Sequence, residues 1–264
     1  MTDGVTAELL SKVSDISAKQ WDALNPQGNP FVSHAFLSAL EQSGSVGLGT
    51  GWSPSPVIIR DAEGVPAAAL PAYLKTHSQG EYVFDHHWAD AFHRAGGQYY
   101  PKLQIAAPFS PVPGPRLLLR DEAMALPILR AAEAVVDQNG LSSAHATFVE
   151  QAELALFREA GWLTRVGTQF HWQNRDYADF ESFLGALSSR KRKAIRKERA
   201  GAQAAVRIQQ IAGADITPEH WDAFWIFYQD TGARKWGTPY LTRAFFDIIG
   251  DSMRDSIVLF LAYD

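Results

Sequence analysis

A dense run of basic residues is the strongest chemical signal in this sequence. Positions 190–199 hold seven lysines and arginines and one glutamate, a local charge of +6. Because the formal net charge of the whole chain is −5, the remaining residues carry −11. A strongly basic segment on an acidic chain marks a place where an anionic partner docks. The candidate ligands for that partner are Arg190, Lys191, Arg192, Lys193, Arg196 and Arg199.

The chemistry of this segment depends on the helix that must carry it. A helix is predicted over residues 188–205, with Ser188 or Ser189 as its N-cap. Four cations then occupy its first turn, where the helix dipole disfavours positive charge by about 0.3–1 kcal/mol each. Ile195 is the only large aliphatic residue between 190 and 199, so the helix has no apolar stripe to hold it on a core. One interpretation is a solvated charged face. We favour the other, which is binding of tRNA phosphates, a nucleotide diphosphate or anionic lipid.

Aromatic and basic residues also lie together around residue 236. Residues 234–240 (Arg-Lys-Trp-Gly-Thr-Pro-Tyr) join two predicted helices. Glycine followed by Thr-Pro is typical of a tight turn that leads into a helix. The alternative is an aromatic platform beside two cations, in which Trp236, Gly237 and Tyr240 shape the acceptor pocket for a sugar, nucleobase or peptide. Both interpretations stay open at this point.

A proline-rich loop follows a predicted strand near residue 103. Four of the eight residues 108–115 are proline, which forbids regular secondary structure there. Lys102, Phe109 and Ser110 flank this loop and would wall a cleft between two halves of the protein, which makes Lys102 and Ser110 candidate substrate ligands. The alternative is simple rigidity where two domains meet.

Histidines between residues 85 and 93 invite a metal-binding interpretation. A helix would place His86, Asp90 and His93 on one side. The spacing of an established metal signature is absent, however, and we favour helix-surface and capping roles, so no metal is expected. A glycine-rich stretch at residues 42–47 superficially resembles a pyrophosphate loop, but it follows a helix instead of a strand and carries little weight.

Composition excludes several classes of protein. The 264 residues are 46% hydrophobic and 20% charged, as in an ordinary folded chain. The absence of cysteine excludes disulfide frameworks, zinc ribbons, thiol nucleophiles and iron–sulfur sites. The longest apolar run, residues 257–263, is far shorter than the roughly 20 residues that span a bilayer. No transmembrane segment is predicted, and an N-terminus without Lys or Arg in its first ten residues is not a signal peptide. A cytoplasmic location is predicted.

Strands and helices alternate along the chain, which predicts a mixed α/β fold. Helices are predicted over residues 17–24, 33–42, 88–95, 122–138 and 150–160, and from Thr217 and Thr238 onwards. Strands are predicted over residues 57–60, 66–74, 103–106, 144–148, 163–170, 206–211 and 257–264. The last of these is apolar throughout, which is typical of a strand inside a sheet. The chain is therefore expected to be cut short after it.

Several segments together resemble the FemAB-like predicted N-acyltransferases, a family associated with peptidoglycan biosynthesis or recognition. The similarity covers nearly the whole chain in the family's order, in residues 82–85 (Tyr-Val-Phe-Asp), 98–103, 108–117, 169–172 (Gln-Phe-His-Trp), 188–199 and 234–241. The resemblance implies a tandem of two GNAT-like units of α/β type with a mixed sheet, the first over residues 1–165 and the second over residues 166–264. It also implies a C-terminal truncation, because family members continue with further strands and a motif containing Glu, Gly, His and Lys.

The chemistry that this resemblance implies is formation of an amide bond. The related Fem enzymes transfer amino acids from aminoacyl-tRNA to the peptide of a cell-wall precursor. Attack of an amine on an activated ester or thioester needs a deprotonated amine, a donor to the oxyanion and close approach, but no cysteine. The predicted function is therefore an N-acyltransferase or aminoacyltransferase with acyl-CoA or aminoacyl-tRNA as donor and an amine acceptor such as a cell-wall peptide precursor.

The sequence names no catalytic base for this reaction. Two alternatives stay open beside it. The first is a non-catalytic module that binds RNA or an anionic membrane. The second is an acetyltransferase that uses acyl-CoA to modify a small amine. In each case the expected partner is anionic: tRNA, a nucleotide-linked precursor, CoA or lipid.

Overall fold

The computed structural model describes residues 5–83, 85–234 and 237–264. The chain is a mixed α/β protein, and it divides into two compact units. Unit 1 comprises residues 1–164 and 217–254, and unit 2 comprises residues 165–216 and 255–264. Residues 217–254 therefore pack with the first part of the chain, whereas the boundary expected from the sequence had placed them in the second. The identity of the two halves as GNAT-like units stays a prediction.

The strands of the described residues form three sheets. The strands are β1 (Thr6–Leu9), β2 (Trp52–Pro54), β3 (Val57–Arg60), β4 (Pro66–Leu70), β5 (Ala72–Lys75), β6 (Lys102–Ile105), β7 (Leu118–Leu119), β8 (Ala144–Ala146), β9 (Arg207–Ala212) and β10 (Val258–Tyr263). One sheet has the order β1-β3-β4-β7 and is antiparallel throughout. A second has the order β2-β5-β6-β8, in which the β6–β8 pair is parallel and the other pairs are antiparallel. The third is the antiparallel pair β9–β10 of unit 2.

Short polar side chains cap the N-termini of some of the helices, including α2 (His34–Gln42) and α9 (Arg243–Ser252). Ser33 accepts a hydrogen bond from the Phe36 N–H, and Thr242 does the same for Phe245. The α-helices are α1 (Ala18–Asp22), α2 (His34–Gln42), α3 (His86–Arg94), α4 (Ala125–Gln138), α5 (Leu154–Glu159), α6 (Phe180–Gly185), α7 (Ser189–Ala205), α8 (Pro218–Arg234) and α9 (Arg243–Ser252). Short 3-10 helices cover Val13–Asp15, Pro30–Val32, Glu122–Met124, Gly213–Asp215 and Arg254–Ser256.

The core of unit 1 lies where α4 packs against strands of the first two sheets. The apolar stripe of α4, with Ile128 and Leu129 fully buried, contacts β3, β4 and β6. Side chains alternate between the two faces of a strand, and alternate residues of β5 and β6, including Leu103 and Ile105, enter this core. The other face of these two strands is therefore turned away from α4, and it carries the polar residues of the candidate site.

Later in the chain, α8 and α9 complete unit 1. The Thr242 hydroxyl donates to the Ser43 carbonyl at 3.0 Å, and the Thr242 N–H donates to the Ser45 hydroxyl at 3.2 Å. Phe245 packs edge-on against Phe36 of α2, with ring centres 5.8 Å apart. The glycine-rich stretch at residues 42–47 therefore has a structural role, because it connects the end of α2 to the start of α9.

The structure corrects three expectations from the sequence. Residues 163–170 are exposed and form no strand, so the strand predicted there is wrong. The helix expected from Thr238 begins instead at Arg243. The final strand is not buried on both faces: Leu259 and Leu261 are buried while Val258 and Phe260 are exposed, as in a half-covered two-stranded sheet.

None of the helices in the described ranges combines the length and apolar character required to cross a bilayer.

Candidate functional site

Two buried lysines face each other across neighbouring strands of unit 1. Lys75 on β5 is the register partner of Lys102 on β6, and both side chains are fully buried. Like charges directly opposite each other destabilise an antiparallel pair. Such a pair therefore needs buried anions close by.

The anions come from the segment that connects β5 to α3, residues 76–85. The Lys102 ammonium donates to Glu81 Oε2 at 2.9 Å, to Asp85 Oδ2 at 2.8 Å and to the Ser78 hydroxyl at 3.0 Å. An ammonium has three N–H donors, so Lys102 is fully satisfied. Both carboxylates are also nearly completely buried.

Two tyrosines close the other side of this cluster. The Tyr99 hydroxyl donates to Asp85 Oδ2 at 2.8 Å, and the Tyr100 and Ser78 hydroxyls lie 2.7 Å apart. Glu81 and Asp85 each leave their second oxygen without a hydrogen-bond partner among the described residues. The cluster is therefore short of donors.

Lys75 is held less completely than Lys102. Its ammonium donates to the Gln79 carbonyl at 3.3 Å, lies 3.8 Å above the centre of the Trp52 ring and is 4.0 Å from Glu81 Oε1. Burial lowers the pKa of Lys75 to about 7, since desolvation and the positive charge of Lys102 outweigh the attraction of Glu81. Lys75 therefore changes its charge near neutral pH.

The pKa values of the two buried carboxyl groups shift in opposite directions. Burial alone would raise the pKa of Asp85, but hydrogen bonds from Lys102, Ser78 and Tyr99 lower it to about 2. Burial raises the pKa of Glu81, although Lys102 opposes that change. Burial and the adjacent Asp85 also raise the pKa of the Tyr99 phenol. Asp85 is thus ionised at neutral pH, and Tyr99 remains a neutral donor to it.

A cleft of about 460 Å³ lies against the same segment in unit 1. Its described lining residues are Gln79, Gly237, Thr238 and Tyr240. Gln79 joins the cleft to the buried cluster, because its carbonyl is the acceptor for Lys75.

Stacked aromatic rings separate the cleft from the lysines. The Tyr240 ring lies parallel to Phe109, with centres 5.0 Å apart, and Phe109 meets Trp52 edge-on at 5.2 Å. Phe109 has a φ of 58°, in the left-handed region that side chains rarely adopt. Backbone strain of this kind persists only where the surroundings determine it. Here the proline-rich loop holds Phe109 between Trp52 and Tyr240.

Tyr228 fixes the backbone of residues 240–241, next to the cleft. The Tyr228 hydroxyl of α8 accepts hydrogen bonds from the N–H groups of Tyr240 at 3.1 Å and Leu241 at 3.2 Å. These bonds keep residues 240–241 out of α9 and explain why that helix starts late. The pKa of Tyr82 is raised by burial and by the neighbouring phenols of Tyr240 and Tyr228.

The structure places the predicted site residues of unit 1 as follows. Gly237 and Tyr240 line the cleft, and Lys102 lies in the buried cluster. Ser110 is buried in the proline-rich loop, where its hydroxyl accepts from the Val112 N–H at 3.3 Å. Trp236 lies outside the described residues.

The six predicted basic ligands all lie on α7 in unit 2, a helix with no buried residue. Arg196 pairs with Glu181, the Arg199 guanidinium lies 4.2 Å from the centre of the Phe180 ring, and Arg192 Nη1 donates to the Gly185 carbonyl at 3.5 Å. These three arginines therefore attach α7 to α6. The remaining surface of α7 carries exposed cations that form no hydrogen bond or ion pair with the described residues, namely Arg190, Lys191, Lys193 and Lys197.

The histidines near residue 86 form no metal site in this structure. Asp85, which precedes them, is committed to Lys102 and Tyr99. Across residues 5–83, 85–234 and 237–264, no group of three or more His, Cys, Asp or Glu residues is placed to hold a metal ion.

Reasoning from the sequence missed Lys75 and Glu81. The available signal was a lysine directly after the apolar residues 72–74 of a predicted buried strand, followed within ten residues by two acids. A charge that continues a buried strand needs a partner.

A family profile matches most of the chain. The profile of the FemAB-like family, described as peptidoglycan biosynthesis/recognition, matches residues 12–264. The chain belongs to this family. Searches of curated proteins and of solved structures found no match.

Proposed function

We propose that this chain transfers an acyl or aminoacyl group to an amine and so forms an amide bond, with a cell-wall peptide precursor as the acceptor. Membership of a family described as peptidoglycan biosynthesis/recognition supports the acceptor class. The observation that carries the proposal is the cleft beside Gln79 and Tyr240, behind which Lys75 has a pKa of about 7.

The reaction needs a group that removes a proton from the acceptor. The amine nitrogen attacks the carbonyl carbon of an activated ester or thioester, and the bond from that carbon to oxygen or sulfur breaks. The leaving group departs as an alcohol or thiol, and the ammonium formed must lose a proton. A base with a pKa close to the working pH does this best. We assign that role to Lys75 of the buried cluster with Lys102, Glu81 and Asp85. Because the aromatic stack separates Lys75 from the cleft, this assignment requires water to carry the proton from the acceptor amine to Lys75.

The donor in this proposal is aminoacyl-tRNA or acyl-CoA, both of which carry phosphates. The exposed face of α7 with Arg190, Lys193 and Lys197 suits such phosphates, since no described residue neutralises these three cations. The same observation favours a second candidate function, in which the chain binds RNA or another polyanion without turnover.

We further propose that the chain is a tandem of two GNAT-like folds and that it acts in the cytoplasm. The mixed α/β architecture and the family resemblance support the fold proposal. An experimental structure superposed on known acyltransferases tests it, and fractionation of cells tests the location.

The transferase is tested by incubating the chain with aminoacyl-tRNA or acetyl-CoA and a muramyl pentapeptide that contains lysine, with mass spectrometry as the readout. We expect a product heavier by one acyl or aminoacyl group, formed at a rate that rises with pH through about 7. Lys75→Met should lower that rate by roughly 100-fold or more and abolish this pH dependence.

Lys19→Met, which removes an exposed lysine of α1, is the matched control and should change neither quantity. Absence of product with every donor, together with tight binding of RNA, would favour the binding module instead. Unchanged turnover in Lys75→Met would remove the assigned base.

A further inference from the structure

Gln79 is an exposed residue whose backbone is held by three side chains. Its N–H donates to His77 Nδ1 at 3.2 Å. Its carbonyl accepts from the buried side chains of Lys75 (Nζ, 3.3 Å) and Trp52 (Nε1, 3.0 Å). Both backbone polar groups of this surface residue are therefore fixed by side chains.

The His77 ring is itself fixed in a single tautomer. Nδ1 must be unprotonated to accept from Gln79, so Nε2 carries the proton and donates to the Thr50 carbonyl at 3.1 Å. The ring packs against Gly51, where an added Cβ would lie 2.1 Å from Nε2. His77 therefore holds the Gln79 N–H in a fixed position.

Gly80 keeps the backbone of this segment close to the aromatic rings of Phe109 and Trp52. Gly80 has a φ of +80°, a conformation that favours glycine. A Cβ at this position would lie 2.7 Å from the Phe109 ring and 3.2 Å from Trp52 Nε1. Residues 79–80 therefore pack directly against the rings of Trp52 and Phe109, which lie between the cleft and the lysines.

The side chain of Gln79 has a different environment. It lies at the cleft, and its amide makes no hydrogen bond with any described residue. The lining residues that the structure describes are uncharged, and they offer an amide, a hydroxyl and an aromatic ring. A carboxamide presents an N–H donor beside a C=O acceptor, and this is the complement of a peptide or N-acyl group.

We infer that Gln79 determines acceptor specificity by pairing its side-chain amide with an amide group of the acceptor, through one donated and one accepted hydrogen bond. This inference rests on the proposed function and narrows it to acceptors that carry a peptide or N-acyl group near the reacting amine. His77, Lys75 and Trp52 act as positioning residues for Gln79.

The test uses muramyl dipeptide, a soluble probe that carries both an N-acetyl group and peptide bonds. We expect the side-chain ¹⁵N resonance of Gln79 to shift on titration of the full chain. In calorimetry, Gln79→Ala should raise the Kd for this probe by roughly tenfold, since two hydrogen bonds are lost. Gln79→Glu should raise it at least as much, because a carboxylate retains acceptors and loses the donor.

Thr76→Ala is the matched control, because Thr76 is an exposed residue of the same connection that does not line the cleft in the described structure. It should bind the probe as the wild type does. Failure of the wild-type chain to bind, or an equal Kd in Gln79→Ala, would overturn the inference.

These outcomes are separable from those of the transferase assay. If the probe binds in a way that depends on Gln79 but no donor supports turnover, the amide pairing by Gln79 stands as ligand binding and the proposed reaction fails. If product forms at equal rates in the wild type and in Gln79→Ala, the reaction stands and the inference fails.

Discussion

The two lysines beneath the cleft are a costly arrangement for the stability of unit 1. Burying an ion pair costs several kcal/mol in desolvation, which the attraction between the ions repays only with good geometry. Lys102 has that geometry, and Lys75 does not, because its nearest carboxylate oxygen is 4.0 Å away. A cluster that leaves one lysine with a pKa of about 7 is more easily explained by chemistry than by folding.

Arg116, another buried charged residue of unit 1, differs from the two lysines in its hydrogen bonds. Arg116 is buried, and it donates to the carbonyls of Thr147, Val112 and Pro115, while Glu153 accepts from the N–H groups of Arg116 and Leu117. These bonds brace the backbone of the proline-rich loop and attach it to Thr147 and Glu153. Lys102, by contrast, donates only to side chains.

Asp85 stabilises unit 1 through its negative charge. Its pKa is lowered from 3.8 to about 2, so its ionised form stabilises the fold above pH 4, and that contribution is lost as the pH falls towards 2. Asp85→Asn should lower the free energy of unfolding by about 3 kcal/mol at pH 7, because Lys102 loses a charged partner. The deficit should shrink by about 2 kcal/mol between pH 5 and pH 2.

Urea denaturation of both proteins across that pH range measures the difference. Asp90→Asn, on the exposed side of α3, is the control and should show no such pH dependence. A deficit that is the same at all pH values would show that Asp85 acts through its shape and not through its charge.

Only part of this site could be predicted from residue types. Lys102 and Tyr240 stand in recognisable motifs, and both lie at the cleft or beneath it. The position of Lys75 after an apolar strand signals a need for a partner, but the sequence does not show that Lys75 lies opposite Lys102, because this depends on the strand register. That register is fixed by pairing between strands 26 residues apart and has no local signature.

Among the elements, α7 shows how one basic helix can serve two purposes. Successive residues turn by about 100° around a helix, so Arg192, Arg196 and Arg199 share the face that contacts α6. Arg190, Lys193 and Lys197 lie on the opposite side, and they form no hydrogen bond or ion pair with a described residue. The first set is structural, and the second is available to an anionic partner.

The two faces allow a comparison in which the charge removed is the same. The triple variant R190Q/K193Q/K197Q should weaken binding of single-stranded RNA at least tenfold and reduce the slope of log K against log salt by about 2. The triple variant R192Q/R196Q/R199Q should weaken RNA binding less and loosen the contact between α7 and α6.

Fluorescence anisotropy at several salt concentrations measures the RNA affinity, and hydrogen exchange in α7 measures the contact between the two helices. Equal losses of affinity would indicate only a bulk charge effect, and no loss in either would indicate a solvated helix.

Element boundaries followed from the sequence where a local cap or an apolar period defined them, as for α2 and α4. They failed where a distant side chain decided the outcome. Thr238-Pro239 is a good helix start, yet the Tyr228 hydroxyl captures the N–H groups of Tyr240 and Leu241, and the helix begins only at Arg243. Residues 163–170 contain enough apolar side chains for a strand but have no neighbouring strand to pair with in the described structure.

At the scale of the whole molecule, the chain leaves unit 1 after residue 164 and returns to it at residue 217. A division of the sequence into consecutive halves cannot represent this path, because the contacts of α9 with α2 join residues nearly 200 positions apart. Patterns within short windows indicate elements but not which elements meet. The cleft depends on this return, since Gly237, Thr238 and Tyr240 come from the later segment and Gln79 from the earlier one.

This path predicts how the protein responds to a single cut. Phe170 is 98% exposed in a stretch without regular structure, so limited chymotrypsin should cleave there or at nearby Trp172 before it reaches the buried aromatic residues. The resulting fragments, residues 1–170 and 171–264, each hold part of unit 1. They should therefore elute together in size-exclusion chromatography under native conditions and separate in urea. Phe170→Ser should slow the cut without changing the free energy of unfolding. Fragments that separate without denaturant would show that α8 and α9 do not belong to unit 1, and the cleft between Gln79 and Tyr240 would then lose its structural basis.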